Sequence, residues 1–183
     1  MIIGVTGPIA SGKSVLIEML IEKGFISFGL SNEVREEANK QGIPINRKAL
    51  QDLGNAMREK YGSGYWAERV ISKLSAGKNH VIDGIRNPGE IEVLKKLGNF
   101  VLIGVDAPVE KRFQWILARN KDSDPKTLEE IRAIDSRDRG AGELSHGQQS
   151  AKCYEMADVF IQNDGSFEDL ARKVSELLET IKC

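Results

Sequence analysis

Short apolar runs alternate along the chain with longer segments in which apolar residues return every three or four positions. The short runs predict buried strands, and the longer segments predict amphipathic helices. The predicted strands lie at about residues 1–5, 25–28, 80–83, 99–105 and 158–162. The predicted helices lie at about residues 14–22, 32–40, 47–61, 65–74, 88–97, 109–119, 127–139 and 167–181. This alternation indicates βαβ units, and therefore an α/β fold with a mainly parallel sheet covered on both faces.

Two stretches break the alternation. Three predicted helices follow one another between residues 31 and 74 without a strand, interrupted by glycine-containing stretches at 42–44 and 62–64. We expect them to form a helical insertion over one end of the sheet. Residues 120–125, with the charged helix behind them, predict an exposed flap. The 183 residues are enough for one domain with a sizeable core.

Charge and cysteine content narrow the classes of protein. The formal net charge is -1, which lacks the basic character of a duplex-binding protein, so we expect no nucleic-acid partner. Cys153 and Cys183 have no metal-ligand spacing and do not make a disulfide framework, which favours a reducing, cytoplasmic location. We also expect no membrane partner, because the chain opens directly into a strand-like run and no apolar stretch approaches the roughly 18 residues of a membrane span.

The strongest local signal is the motif Gly-x-x-x-x-Gly-Lys-Ser at residues 7–14. Its glycines let successive backbone N–H groups surround a phosphate. Lys13 then neutralises the β and γ phosphates, and the Ser14 hydroxyl ligates Mg²⁺. The alternative is a tight turn that binds nothing. Because the motif follows a buried strand and opens a helix, the context favours phosphate binding at a helix N-terminus.

A second candidate site follows the strand at 80–83, where Asp83 is succeeded by Gly84 and, two residues later, Arg86. An acid at the carboxyl end of a strand beside the phosphate loop is placed to organise Mg²⁺ through water. Arg86 then faces a second phosphate-bearing substrate. The alternative is an Asp-Gly turn with a solvated arginine.

Arginines supply the remaining candidates. Arg35 follows a helix N-cap signal. On composition alone, a surface ion-pair partner and a phosphate ligand are equally good interpretations of it. Arg58 is a weaker candidate, for which a solvated helix face is the favoured interpretation. Trp66 and Trp115 lie within helical segments and are interpreted as packing residues.

The segment from residue 112 to residue 139 is rich in arginine. These arginines are Arg112, Arg119, Arg132, Arg137 and Arg139. A charge-laced surface helix, in which Asp135 pairs with Arg139, explains them adequately. In the functional interpretation, Arg119 and Arg137 close over the transferring phosphoryl group and stabilise its charge.

With these residues in view, the chain resembles the nucleoside monophosphate kinase branch of P-loop kinases over nearly its whole length. Residues 6–14 and 157–166 are very similar to the pattern of dephospho-CoA kinases. Residues 28–37, 53–62 and 82–86 follow more closely a group of small adenylate-kinase-related proteins known best from archaea. Where dephospho-CoA kinases carry Asp-Ala-Asp, this chain has Leu30-Ser31-Asn32, which removes the natural partner of an acceptor hydroxyl.

The resemblance implies a three-layer fold with five parallel strands in the order 2-3-1-4-5, ATP and Mg²⁺ as cofactors, an acceptor-binding helical region at about 31–74 and a short lid at about 119–139. It implies catalytic roles for Lys13, Asp83, Arg119 and Arg137. It implies acceptor binding by Arg35, Arg86 and Arg58, and metal binding by Ser14 and, through water, Asp83. The implied donor site consists of Gly7, Ala10, Ser11, Gly12, Lys13, Ser14, Val15, Arg119, Asn163 and Gly165, with the loop at 163–165 against the adenine.

Three hypotheses for function remain. The first is a kinase that transfers the γ-phosphoryl group of ATP to a small-molecule acceptor, a nucleoside or deoxynucleoside monophosphate. The second is a dephospho-CoA kinase, and the third is a nucleotide-binding regulatory module without turnover. A GTP switch protein is discounted because Asn120-Lys121-Asp122 has the wrong spacing for guanine recognition. The sequence predicts no oligomeric state.

Overall fold

The computed structural model describes residues 1–121 and 124–181. Cys183, one of the two cysteines, lies outside these residues. The described strands are β1 (Ile2–Thr6), β2 (Ile26–Gly29), β3 (His80–Asp83), β4 (Phe100–Asp106) and β5 (Val159–Gln162). The described helices are α1 (Lys13–Glu22), α2 (Leu30–Gln41), α3 (Arg47–Tyr61), α4 (Tyr65–Ile71), α5 (Pro88–Lys95), α6 (Val109–Arg119), α7 (Leu128–Arg139), α8 (Ser150–Glu155) and α9 (Phe167–Thr180).

The strands form one parallel sheet in the order β2-β3-β1-β4-β5. The fold class and strand order expected from the sequence are therefore confirmed. Because all pairs are parallel, the carboxyl ends of the strands lie along one edge of the sheet. Gly29 and Asp83 are paired in register at this edge, with Val5 beside Asp83 on the next strand. The loops after these strands meet there, as is usual for sites in open α/β sheets.

Successive residues of the central strand serve two separate cores. Ile2 packs into a cluster with helices α2, α4, α5 and α8, whereas Ile3 packs into a cluster with α1 and α9. Strand side chains alternate between faces, so one apolar run supplies both clusters. Trp66 is fully buried in the first cluster, which confirms its interpretation as a packing residue.

The helices follow the hydrophobic pattern with small changes at their ends. Helix α4 ends at Ile71 and helix α5 at Lys95, earlier than expected. The six-residue helix α8 has no counterpart among the predicted elements, because a segment so short shows little periodicity. No helix in the described ranges is both long and apolar enough to cross a membrane.

Candidate functional site: a phosphate loop between two cavities

The loop after β1 curls tightly around its own backbone. Gly7 has φ 141°, and a Cβ built there would lie 2.0 Å from the carbonyl oxygen of Val105. Gly12 has φ 101°, with space for a Cβ blocked by the Asn163 amide at 2.4 Å. Ala10 adopts φ 59°, a left-handed conformation that is uncommon outside glycine. Helix α1 begins directly afterwards at Lys13. The first turn of a helix has N–H groups that are not needed within the helix, which makes its start a favourable place for an anion.

A cavity of about 250 Å³, here called the P-loop cavity, lies inside this loop. Lys13 lines it and donates to the carbonyl oxygens of Gly7 at 2.9 Å and Pro8 at 2.7 Å. Burial lowers the pKa of Lys13 to about 8, against the opposing charge of Asp83. An ammonium group held by loop carbonyls and disfavoured by burial is well prepared to exchange these contacts for an anion.

The expected metal ligands also line the P-loop cavity. One carboxylate oxygen of Asp83 is buried and has no hydrogen-bond partner among the described residues. Ser14 is exposed on the first turn of α1 and faces the same space. Buried polar atoms without partners are rare in folded proteins, and a hydrated cation would satisfy this one. The residues present therefore fit Mg²⁺ held by Ser14 and, through water, by Asp83.

A second cavity of about 650 Å³, here called the arginine cavity, opens between the P-loop and helices α2 and α3. Four arginines line it: Arg35, Arg47, Arg58 and Arg86. Its apolar side is formed by Leu30, Val34, Ile45, Leu50 and Trp66. Cations beside an apolar wall suit a ligand that combines a phosphate with an aromatic base. All three arginines expected to bind the acceptor thus line one cavity.

Arg58 corrects one detail of the sequence interpretation. It is only 4% exposed and therefore does not lie on a solvated helix face. Its Nε donates to the buried carboxylate of Glu90 at 2.8 Å. The other Glu90 oxygen accepts hydrogen bonds from the backbone N–H groups of Arg86 at 2.8 Å and Asn87 at 3.0 Å. Arg58 is thereby connected through Glu90 to the backbone that carries Arg86.

Arg47 lines both cavities and is not among the site residues predicted from the sequence. It is the first residue of α3, and its Nη2 donates to Asp138 of α7 at 2.6 Å. The pair is separated by 91 residues, so local spacing gives no signal for it. With Arg86, which also lines both cavities, Arg47 marks the place where the two cavities meet.

The expected lid arginines take different positions. Arg119 lines the P-loop cavity and pairs with Asp124, with an Nη2 to Oδ1 distance of 2.8 Å. Arg137 instead donates to Asp52 at 2.9 Å and to Glu143 at 3.2 Å. Arg137 is not one of the described residues that line the P-loop cavity or the arginine cavity. Its contact with Asp52 ties helix α7 to helix α3. Its expected role at the phosphates stays a prediction.

Asp135 does not form the expected pair with Arg139. It accepts from Arg112, an arginine that is only 2% exposed and that also donates to the carbonyl oxygens of Ala107 and Ile9. The surface-helix interpretation is therefore wrong for Arg112. This side chain joins α6, α7 and the P-loop, because a guanidinium can donate to several acceptors in its plane.

A third cavity, of about 350 Å³, lies on the other side of the P-loop and is here called the aromatic cavity. Asn163 and Gly165 line it, together with Trp115 of α6 and Phe167 of α9. The Asn163 amide donates to the Ser11 carbonyl oxygen at 3.0 Å, which fixes the loop against the P-loop. The expected base-binding loop is thus accompanied by two aromatic side chains. Trp115, interpreted from the sequence as a packing residue, is half-buried and faces this cavity.

We expect MgATP to change the intrinsic fluorescence of the protein through Trp115. Stacking of a base on an aromatic side chain contributes about 1–3 kcal/mol, so Trp115→Ala should weaken ATP binding about 5- to 150-fold. In Trp115→Phe the fluorescence change should disappear while binding persists, as measured by calorimetry. Tyr61→Ala, which removes an exposed aromatic ring on α3, is the control and should behave as wild type. An unchanged ATP affinity in Trp115→Ala would contradict this role.

The sequence is similar to curated archaeal proteins. The UPF0200 protein of Hyperthermus butylicus is 33% identical over 183 residues, which cover 99% of this chain and 95% of that protein. The UPF0200/UPF0201 protein of Archaeoglobus fulgidus is 35% identical over 183 residues, which cover 97% of this chain. This chain spans only 54% of the length of that second relative. No protein-family model matches the chain.

Solved structures of low sequence identity have the same fold. The crystal structure of TT1252 from Thermus thermophilus is 22% identical with a TM-score of 0.61, over 100% of this chain and 98% of that chain. Shikimate kinase from Acinetobacter baumannii, in complex with shikimate, is 20% identical with a TM-score of 0.55, over 99% of this chain and 94% of that chain. These likenesses show that the chain has the fold of P-loop kinases.

Proposed function

The chain belongs to the UPF0200 protein family, and we propose that it is an ATP- and Mg²⁺-dependent phosphotransferase whose acceptor is a nucleoside or deoxynucleoside monophosphate. The observation that carries this proposal is the junction of the P-loop cavity and the arginine cavity. Five residues line both cavities: Ile9, Ser31, Arg47, Gly84 and Arg86. A donor phosphate and an acceptor phosphate bound in the two spaces would therefore approach each other at this junction.

The chemistry of the arginine cavity favours an acceptor that is already an anion. Arg35 reaches the cavity from α2. Its side-chain hydrogen bonds to described residues go to Ser31 and Asn32 at 3.2–3.4 Å, so it can turn to a phosphate at little cost. Arg86 meets the cavity from the loop after β3. Two or more guanidinium groups around one space are the usual arrangement for phosphate recognition.

In the proposed reaction, an oxygen of the acceptor phosphate attacks the γ-phosphorus of ATP. The new P–O bond forms as the bond from the γ-phosphorus to the β,γ-bridging oxygen breaks, and ADP leaves with that electron pair. No proton transfer is required, because the attacking oxygen carries a negative charge. Lys13 and Arg119, which line the P-loop cavity, would stabilise the charge that spreads over the phosphoryl oxygens.

Mg²⁺, when bound, would neutralise part of the charge of the transferring phosphates. Ser14 and Asp83 are the residues that would hold it. In the aromatic cavity, Trp115 and Phe167 would hold the base of the donor, while the loop at Asn163 to Gly165 lies beside it.

Dephospho-CoA remains the second candidate acceptor because of the resemblance at residues 6–14 and 157–166. The group of dephospho-CoA that accepts the phosphoryl group is a hydroxyl, and phosphorylation of a hydroxyl requires a base. Among the described residues that line the arginine cavity, the one carboxylate is Asp124, and it is paired with Arg119. This pairing supports the anionic acceptor over the hydroxyl acceptor.

The test is to measure ADP formation with each nucleoside and deoxynucleoside monophosphate and with dephospho-CoA. We expect turnover with at least one monophosphate. For that acceptor, Arg35→Ala should raise KM about 10- to 150-fold, because a hydrogen bond to a charged group contributes about 1.5–3 kcal/mol. The KM for ATP should stay within about twofold of the wild-type value. The reason is that Arg35 lines the arginine cavity and is not one of the described residues that line the P-loop cavity.

Lys40→Ala is the matched control, because Lys40 is an exposed cation in the last turn of the same helix. It should leave both KM values unchanged. Turnover with dephospho-CoA alone would contradict the proposed acceptor. ATP binding without ADP formation on any acceptor would indicate the regulatory module instead.

A further inference from the structure

Resting on the proposed function, we propose that Arg47 contacts the phosphoryl group during its transfer between the two cavities, and that Asp138 is the counter-ion it releases to do so. Arg47 lines both the P-loop cavity and the arginine cavity. Asp138 lines the P-loop cavity. The sequence predicts contact with the transferring phosphoryl group for the lid arginines Arg119 and Arg137, whereas Arg47 comes from the start of α3.

The position of Arg47 is fixed by its helix. Asn46 caps α3, with its side chain accepting from the backbone N–H of Ala49 at 3.0 Å. Arg47 therefore starts from a well-defined backbone, and its long side chain is 41% exposed. A partly exposed guanidinium on a rigid base can change its anionic partner without unfolding the helix.

Asp138 holds the cations of the junction together. Its Oδ2 accepts from Arg47 at 2.6 Å, and its Oδ1 accepts from Gln51 at 2.7 Å. With the Gln148 amide nitrogen facing Asp138, Gln148 donates to Oδ1 at 2.9 Å and accepts from Arg86 at 3.1 Å. Asp138 is thus linked directly to Arg47 and, through one amide, to Arg86. Its negative charge therefore lies beside the cations at the junction of the two cavities, where a phosphoryl group would also place negative charge.

The surroundings of Arg47 favour an additional anion. Desolvation and the charge of Arg86 disfavour the ionised form of Arg47 and lower its pKa. Asp138 and Asp135 act in the opposite direction. The charge of Arg86 also lowers the pKa of Lys13, and the charge of Asp138 raises it. A phosphoryl group entering this space would relieve the repulsion among the cations and could replace Asp138 as the partner of Arg47.

A purely structural role for Arg47 would be to tie α3 to the lid helix α7. Other contacts already make this connection. Arg137 of α7 donates to Asp52 of α3 at 2.9 Å, and Asn55 of α3 donates to Glu143 at 2.7 Å. Because the attachment of α3 has these further contacts, the Arg47 side chain can leave Asp138 while the helices stay together.

The experiment measures binding of a probe that spans both cavities, by calorimetry, so that it does not depend on turnover. The probes are dinucleoside pentaphosphates with adenosine at one end and adenosine, uridine or thymidine at the other. We expect the tightest of them to bind the wild type at least 100-fold more tightly than ATP. Arg47→Ala should weaken that probe about 10- to 30-fold and ATP less than threefold, whereas Lys48→Ala, the exposed neighbouring cation, should change neither.

Asp138→Asn distinguishes the two roles of Arg47. If Asp138 is a counter-ion that the phosphoryl group replaces, its neutralisation should tighten binding of the pentaphosphate probe severalfold. If the pair is only a tie between helices, both Asp138→Asn and Arg47→Ala should weaken the probe and ATP together, and the melting temperature should fall. Unchanged probe binding in Arg47→Ala would overturn the proposal for Arg47 alone. A wild type that binds no probe more tightly than ATP would overturn it together with the proposed function.

Discussion

Replacing Lys13 by alanine is expected to lower the rate of ADP formation about 10³-fold or more. The Lys13 side chain lines the P-loop cavity. In the proposed reaction, charge would spread over the phosphoryl oxygens in this cavity. Removing one such charged or hydrogen-bonding group costs about 10²- to 10⁵-fold in rate in phosphoryl and acyl transfer. Lys23→Ala, at the opposite end of α1, is the matched control and should retain full activity.

The fold should survive the loss of Lys13. Burial lowers the pKa of Lys13 to about 8, so the folded state disfavours its charged form. At pH 7 the lysine is protonated and this unfavourable burial is present, and it is relieved only as the pH rises above about 8. Lys13→Ala removes the buried charge, and its melting temperature at pH 7 should equal or exceed that of the wild type. Retained turnover, or a large loss of stability, would contradict this assignment.

The same pKa gives ATP binding a pH dependence that separates Lys13 from other groups. Bound phosphates stabilise the protonated lysine, so wild-type affinity for ATP should be constant below pH 8 and should weaken as the pH rises above it. Lys13→Ala should bind weakly and show no such decline between pH 8 and pH 9.5. A decline that persists in the variant would assign the titration to another residue.

Signals that are local in the sequence predicted the fold and the phosphate loop well. The strand at 80–83 has the expected bounds, because a short β-branched run between turn residues has few alternative structures. The motif at 7–14 defines its own geometry, since the glycine positions, the buried strand before it and the helix after it are all consecutive. The strand order came from the family resemblance, because parallel pairing is not encoded in any local pattern.

The arginines show where local signals end. Arg35 and Arg86, which the sequence predicts as acceptor ligands, both line the arginine cavity, and each stands next to a helix start or a strand end. The environments of Arg47, Arg58 and Arg112 depend on carboxylates 91, 32 and 23 residues away. Composition and periodicity describe each of these arginines as an ordinary surface cation. Tertiary contacts alone separate the buried and bridging arginines from the solvated ones.

Substituting Glu90 by glutamine is expected to destabilise the protein by about 3–5 kcal/mol, because it leaves Arg58 as an uncompensated buried charge. Glu90 is fully buried, and its partner Arg58 is only 4% exposed. For a chain of this size, that loss corresponds to a decrease in melting temperature of roughly 6–20 °C. Thermal and denaturant unfolding of the variant would measure it.

The double variant Arg58→Met/Glu90→Gln separates the ion pair from the packing around it. If the pair is coupled, the double variant should lose much less stability than the sum of Arg58→Met and Glu90→Gln. Arg172→Met, which breaks an exposed ion pair with Glu176 on α9, is the control and should cost at most about 1 kcal/mol.

Glu90 also supports the proposed acceptor site, because it accepts hydrogen bonds from the backbone of Arg86 and Asn87. Glutamine can accept at only one of its two terminal atoms, so either Arg58 or this backbone loses its partner. Glu90→Gln should therefore raise the acceptor KM at temperatures where the variant is fully folded, while ATP affinity stays near the wild-type value. A stability loss under 1 kcal/mol would contradict the buried ion pair. Normal acceptor KM in a destabilised variant would limit Glu90 to a structural role.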